Sequence, residues 1–307
     1  MMTSTLRSLA LLTLSTTLAT GCLADGDAPT DLATTSLDSR GPRGPSTYLA
    51  LGDSIAFGFN PLLLADPAVE PSAFVGYPEH LDDADDRLRN ASCPGETSAS
   101  FRSSTAPDNG CRDFKTAFGL HVDYDGTQLE YAVGHLATNR TSLVTFAIGA
   151  NDLLMVLSAC AGDAGCALAQ LPATLQQVGG NAATSLGTIR AAGYTGRLVV
   201  LSYYPRNYND PLSVGAISAL NNVLAQVAAS VGAEVADGFD AFATASAPFG
   251  GDPCAAGLLI RLPDGTCDQH TSRSGQRLLA RTVDAVRAGI GAGTPPWPAP
   301  ARTSIRH

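Results

Sequence analysis

The sequence predicts an α/β fold, a doubly wound parallel sheet in a single domain, and three observations carry that reading. Short apolar runs alternate with longer stretches whose apolar residues recur at helical spacing. One run, Leu143-Val144-Thr145-Phe146-Ala147-Ile148, is apolar without alternation, as in a strand covered on both faces. With a leader and loose ends set aside from the 307 residues, the length suits one domain, and 45% hydrophobic content suffices for a substantial core.

The chain begins with an export pattern. Arg7 is the one positive charge before Leu9-Ala10-Leu11-Leu12 and a small-residue stretch ending Leu18-Ala19-Thr20-Gly21-Cys22, so residues 1–22 read as a signal peptide. The segment is too short and too polar to span a membrane. Its ending resembles a bacterial lipobox, with Ala19 where leucine is usual, and this resemblance implies lipidation of Cys22. Ordinary cleavage is the alternative. Residues 23–46, rich in Asp, Thr, Pro and Gly without apolar periodicity, read as a disordered tether, and residues 291–307 as an irregular tail.

The domain itself is expected over residues 47–290. Tyr48-Leu49-Ala50-Leu51 is the first strand, stopped by Gly52, and Arg87-Leu88-Arg89-Asn90-Ala91 the second. The buried run from Leu143 is the third. Arg197-Leu198-Val199-Val200-Leu201-Ser202-Tyr203 gives the fourth and Glu234-Val235-Ala236-Asp237 a short fifth. Between them, apolar stripes predict helices around Leu129–Leu136, Leu175–Ile189 and Val214–Val227, and a last helix runs from Ser274 through Val286. These stripes are core faces.

Two polar motifs follow strands directly: Gly52-Asp53-Ser54 after the first and Gly149-Ala150-Asn151-Asp152 after the third. In open α/β sheets, sites form beyond the carboxyl ends of strands, where the strand order reverses. Taken singly, each motif is a plausible turn or helix cap. Together with Cys93-Pro94-Gly95-Glu96-Thr97 and His270 ahead of Ser274-Gly275, they resemble the four blocks of the SGNH hydrolases, also called GDSL esterases and lipases. The resemblance spans Tyr48 to Gly289. It implies a flavodoxin-like three-layer sandwich with a five-stranded parallel sheet in the order 2-1-3-4-5, no cofactor, and an ester-cleaving site. Ser54 is then the nucleophile and His270 its base, with Ser54 N–H, Gly95 N–H and the Asn151 amide as the oxyanion hole. The last block departs from the pattern. The family's acid lies three residues before the histidine, where this chain has Cys267. Asp268 is the nearest carboxylate, Asp264 in Pro263-Asp264-Gly265 a second candidate, and a backbone carbonyl a third.

The residue types suit the chemistry. A serine hydroxyl is a weak nucleophile until a base takes its proton, and a neutral imidazole with a pKa of about 6.5 can do so near neutrality. Charge then develops on the former carbonyl oxygen and needs fixed donors. A glycine at 95 lets the substrate approach the backbone closely. The other histidines, His80, His121, His135 and His307, lack such a context and read as surface or packing residues.

Seven cysteines divide as one plus six, Cys22 ending the leader. In an exported chain six cysteines suggest three disulfides, and of about fifteen possible connectivities, nearest-neighbour pairing gives Cys93–Cys111, Cys160–Cys166 and Cys254–Cys267. No Cys-x-x-Cys or closely spaced His pair occurs, so no metal is expected. A net charge of −9 argues against nucleic acid as a partner, and no phosphate-binding glycine loop is present. A neutral ester fits better. Phe57, Phe59, Pro61, Leu62, Leu63, Leu64, Phe74 and Tyr77 either form an acyl-chain pocket or pack against the sheet.

The leading expectation is therefore a secreted or lipid-anchored serine esterase or lipase, membrane-tethered through Cys22 and monomeric. Carbohydrate O-acetylesterase and phospholipase activities belong to the same chemistry. A non-catalytic surface binding protein on the same scaffold is the alternative from another class.

Overall fold

In the computed structural model, which describes residues 46–81 and 86–289, the chain starts its sheet at Ser46. The signal peptide, Cys22, most of the tether and the tail lie outside the described residues.

Strand β1 (Ser46–Gly52) leads into the short helix α1 (Ser54–Phe57), and β2 (Asp86–Asn90) follows after 3-10 turns. Helices α2 (Cys111–Phe118) and α3 (Gln128–Thr138) precede β3 (Thr141–Ala147). Then come α4 (Ala150–Ala159), α5 (Ala164–Ala191), β4 (Arg197–Leu201), α6 (Pro211–Ser230), β5 (Glu234–Ala236) and α7 (Gly238–Ser246). A two-stranded antiparallel hairpin, β6 (Leu259–Arg261) and β7 (Cys267–Thr271), and the final helix α8 (Arg273–Arg287) complete the described fold.

The five main strands are parallel and ordered β2-β1-β3-β4-β5, the order the resemblance implies. The expected strand ends move by a few residues at most. The fourth strand stops at Leu201: Ser202 N–H still donates to Ala236 O at 3.0 Å, but Asn221 takes both the N–H and the carbonyl of Tyr203 at 2.8 Å.

Burial explains the layers. Leu49, Ala50, Val144 and Val199 are fully buried in the sheet, while Val178, Leu186 and Ile189 of α5 and Leu220 and Leu224 of α6 cover it. Helices α5 and α6 pack side by side, and α7 packs on α8. Helix α6 is long and apolar enough by composition to cross a membrane, yet its apolar stripe serves this core.

Helix α5 differs from expectation. Its stripe starts at Leu175, but the helix runs back through Pro172 to Ala164, where the Asp163 carboxylate caps it by accepting from Cys166 N–H at 2.6 Å. The last helix likewise begins earlier than Ser274, with Ser272 as its cap. The β6–β7 hairpin has no apolar alternation and is new to the structure.

All three nearest-neighbour disulfides are present: Cys93–Cys111, Cys160–Cys166 and Cys254–Cys267. They fit an oxidising environment.

Candidate active site

The register of the sheet brings two motifs to one edge. Gly52 pairs with Ala147, so Ser54 and Asn151 follow adjacent strand tips. Gly52 is tightly enclosed, for a Cβ there would lie 2.6 Å from Ala56 Cβ. Asp53 caps α1: its carboxylate accepts from Ile55 N–H at 2.9 Å and from the Tyr203 hydroxyl at 2.6 Å. Ser54 is thereby fixed in the first turn of α1.

The hairpin carries His270, the expected base. In extended β7, Asp268 and His270 lie two residues apart and their side chains share a face. His270 Nε2 is 2.9 Å from Ser54 Oγ, and His270 Nδ1 is hydrogen-bonded to Asp268 Oδ1. That oxygen also accepts the His270 backbone N–H at 2.8 Å. Burial pushes the Asp268 carboxyl up, but the His270 hydrogen bonds and charge and the nearby Arg206 outweigh it and hold the pKa below the ordinary value. An ionised Asp268 accepts only, so the proton belongs on Nδ1 and Nε2 faces the serine as acceptor. Asp264 is turned elsewhere, its exposed carboxylate accepting from Thr266 N–H and hydroxyl at 2.9 and 2.7 Å.

Outside contacts hold the hairpin. Tyr204 donates to Gln269 O at 3.1 Å, Arg206 donates to Cys267 O at 2.9 Å, and Cys267 is bridged to Cys254. Phe59 packs on the imidazole, with ring centroids 4.7 Å apart.

Gly95, expected in the oxyanion hole, lies on the loop after β2. Gly95 has φ +87°, and a Cβ there would lie 2.3 Å from Asn109 O, so no other residue fits. Cys93 N–H donates to Gly52 O at 3.0 Å, and the Cys93–Cys111 bridge closes the loop. The Asn151 amide donates to Glu96 O at 3.0 Å and accepts from Asn109 Nδ2 at 2.8 Å. Among the described residues, neither Ser54 N–H nor Gly95 N–H has a hydrogen-bond acceptor.

Sequence reasoning missed the residues that join these loops. Asp152, at the end of the second motif, accepts Ser98 N–H and hydroxyl at 2.8 and 2.6 Å, and burial raises its pKa. Gln128, fully buried, accepts from Gly52 N–H at 2.7 Å and donates to Gly52 O and to Glu96 Oε2, each at 3.0 Å. Burial raises Asp53 to about 6 and Glu96 to about 7. Nothing in the spacing of Gln128 or Asp152 marks these roles. Cys93, Glu96 and Cys111 sit close together, but the bridge leaves no thiolate for a metal.

The sequence profile of the GDSL-like lipase/acylhydrolase family matches residues 50–278, more than half of the chain. The chain belongs to that family. Solved structures of GDSL and related lipases share its fold. Phospholipase A1 from Streptomyces albidoflavus NA297 is 20% identical with a TM-score of 0.54, covering 79% of this chain and 99% of that one. The extracellular lipase from Streptomyces rimosus is 20% identical with a TM-score of 0.52, covering 78% and 99%. A GDSL-like lipase from Parabacteroides merdae ATCC 43184 is 12% identical with a TM-score of 0.51, covering 80% and 97%. No curated protein sequence matches the chain. Within the GDSL-like family pattern, this chain places a disulfide cysteine where the acid is usual, and Asp268 lies one residue closer to the histidine.

The aromatic stretch after Ser54 is mostly core. Phe57, Phe74 and Tyr77 are fully buried, so packing against the sheet is their use, and Phe59 alone of these rings lies against His270. His121 Nε2 lies 3.0 Å from Phe57 O and His135 Nε2 2.9 Å from Thr47 Oγ1. His307 lies outside the described residues.

Proposed function

We propose that this GDSL-like acylhydrolase cleaves carboxylic esters through an acyl-enzyme on Ser54. The observation that carries the reading is the chain of contacts from Ser54 Oγ to His270 Nε2 at 2.9 Å, and from His270 Nδ1 to Asp268. Ser54 Oγ attacks the ester carbonyl carbon while its proton passes to His270 Nε2. The resulting oxyanion takes hydrogen bonds from Ser54 N–H, Gly95 N–H and the Asn151 amide. Collapse breaks the bond to the alcohol oxygen, which leaves with the proton from His270. Water then gives a proton to His270 and its oxygen attacks the acyl-enzyme, releasing the acid and restoring Ser54.

The same reading takes the protein to be exported and anchored through a lipidated Cys22, with residues 23–46 as tether and 47–290 as the catalytic domain. The leader pattern and the three disulfides support export. Pre-steady-state hydrolysis of a chromogenic ester tests the catalytic reading. A product burst equal to the enzyme concentration is expected, and turnover without change in Ser54→Ala would overturn it.

A further inference from the structure

We propose that Gln128, acting with Glu96, is a positioning residue for the oxyanion hole: it holds the two backbone donors in register without touching substrate. The proposal rests on the esterase reading above and deepens it by naming what sets the geometry of that site. Ser54 follows Gly52 by two residues, and Gly95 stands directly before Glu96. The two N–H donors therefore sit on different segments, the turn out of β1 and the loop after β2. Neither has a hydrogen-bond acceptor among the described residues. Open donors of this kind speed a reaction only when their spacing is fixed before the charge develops.

One side chain spans the gap. The Gln128 amide makes a two-bond pair with the backbone of Gly52, accepting its N–H at 2.7 Å and donating to its carbonyl at 3.0 Å, and the same Nε2 donates to Glu96 Oε2 at 3.0 Å. Both amide hydrogens are thereby used. Ser100 donates to Glu96 Oε1 and holds the carboxyl from its other side. The Glu96 carbonyl accepts one hydrogen of the Asn151 amide at 3.0 Å, which carries the link to the third donor and leaves the second amide hydrogen for substrate. Gln128, Glu96 and Asn151 are all buried, so water does not compete for these bonds.

Local structure fixes Gln128 in turn. It is the first residue of α3, where Thr127 Oγ1 accepts Glu130 N–H at 3.1 Å and Glu130 Oε2 accepts Thr127 N–H at 2.7 Å, a reciprocal cap. The next residue, Leu129, donates its N–H to Phe101 O at 3.1 Å. A buried amide that merely closed off Gly52 would need no tie to the Gly95 loop. The bond to Glu96 is what gives the pair a part in the reaction.

The test compares kcat and KM for p-nitrophenyl acetate, together with urea unfolding midpoints, in the full chain and in four variants. Gln128→Met keeps the volume and removes every amide bond, whereas Glu96→Leu cuts the tie between the loops and leaves the Gly52 pair. Both should lower kcat by about 10- to 100-fold with KM within about threefold, because a displaced donor costs part of what a deleted one costs. Glu96→Gln restores an acceptor for Gln128 and should recover most of the Glu96→Leu loss. Arg190→Met controls for stability, since Arg190 donates to the carbonyls of Tyr194, Gly196, Val231 and Gly232, beside the N-terminal ends of β4 and β5. That variant should lower the midpoint and leave kcat within about twofold. If Gln128→Met does not fold, the two Glu96 variants decide alone. Parent-like kcat in Glu96→Leu, no recovery in Glu96→Gln, or an equal kcat loss in Arg190→Met would overturn the positioning role and leave the esterase reading standing. A parent that does not hydrolyse the ester overturns both.

Discussion

Asp268 and His270 are joined twice within three residues of one strand: a single carboxylate oxygen accepts both the backbone N–H and the ring Nδ1 of His270. The two hydrogen bonds fix the ring's orientation from within β7, with an acceptor two residues away in the same strand. The Cys254–Cys267 bridge sits immediately before it.

Asp268→Asn should keep the shape of the pair but remove the charge and favour the wrong tautomer. The expected loss is about 10²- to 10⁴-fold in kcat with KM little changed. Asp264→Ala, by contrast, should leave steady-state kinetics with an aryl ester within about twofold of the parent. Equal losses in the two variants would contradict the assignment.

The position of Asp268 shows what was legible and what was not. The five strands, the cysteine pairs and the Ser54, Gly95, Asn151 and His270 blocks were readable because apolar runs and adjacent Gly, Asp and Asn leave local marks. Whether Asp268 could reach His270 depended on β7 being extended, and Cys267-Asp268-Gln269-His270-Thr271 carries no strand pattern. Its pairing with a three-residue β6 is a tertiary fact. Gln128 and Asp152 were illegible for a similar reason, since each acts on a loop dozens of residues away.

Asn151→Ala removes the amide donor and should lower kcat by about 100- to 1,000-fold, or roughly 3 to 4 kcal/mol of barrier, with KM nearly constant. A change confined to KM would place the amide in ground-state binding instead.

Gly95→Ala should destabilise the fold as well as the site, because φ +87° disfavours a side chain and the new Cβ would press on Asn109 O at 2.3 Å. A drop of at least about 1 kcal/mol in urea unfolding is expected. An unchanged midpoint would contradict the enclosure of this residue.

Buried Asp53 and Glu96 set an unusual pH dependence. Their folded pKa values, about 6 and about 7, lie above the unfolded ones, so their stabilising contribution is full below about pH 4 and lost as pH rises through 6 and 7. Asp268 acts in the opposite sense, its depressed pKa favouring the fold above the ordinary carboxylate range. In Glu96→Gln, thermal unfolding should therefore lose part of the decline between pH 5 and 8, with each buried acid accounting for up to about 3 kcal/mol. A parallel pH profile in parent and variant would remove Glu96 from this account.

Breaking Cys254–Cys267 by a double Cys→Ala change frees a 13-residue separation next to Asp268. The loss should be about 3 kcal/mol of stability together with reduced kcat. Breaking Cys160–Cys166, with a separation of only 6, should cost less and leave acetate hydrolysis nearly intact. Activity of the Cys254/Cys267 variant equal to the parent's would deny the hairpin its bracing role.

The most direct test of the whole account is covalent. An aryl phosphonate ester, followed by mass spectrometry of the digested protein, should place one adduct per chain on the peptide containing Ser54, formed slowly in His270→Ala and not at all in Ser54→Ala. Full-rate labelling elsewhere, or no labelling of the folded parent, would show that the residue 54 hydroxyl is not an activated nucleophile.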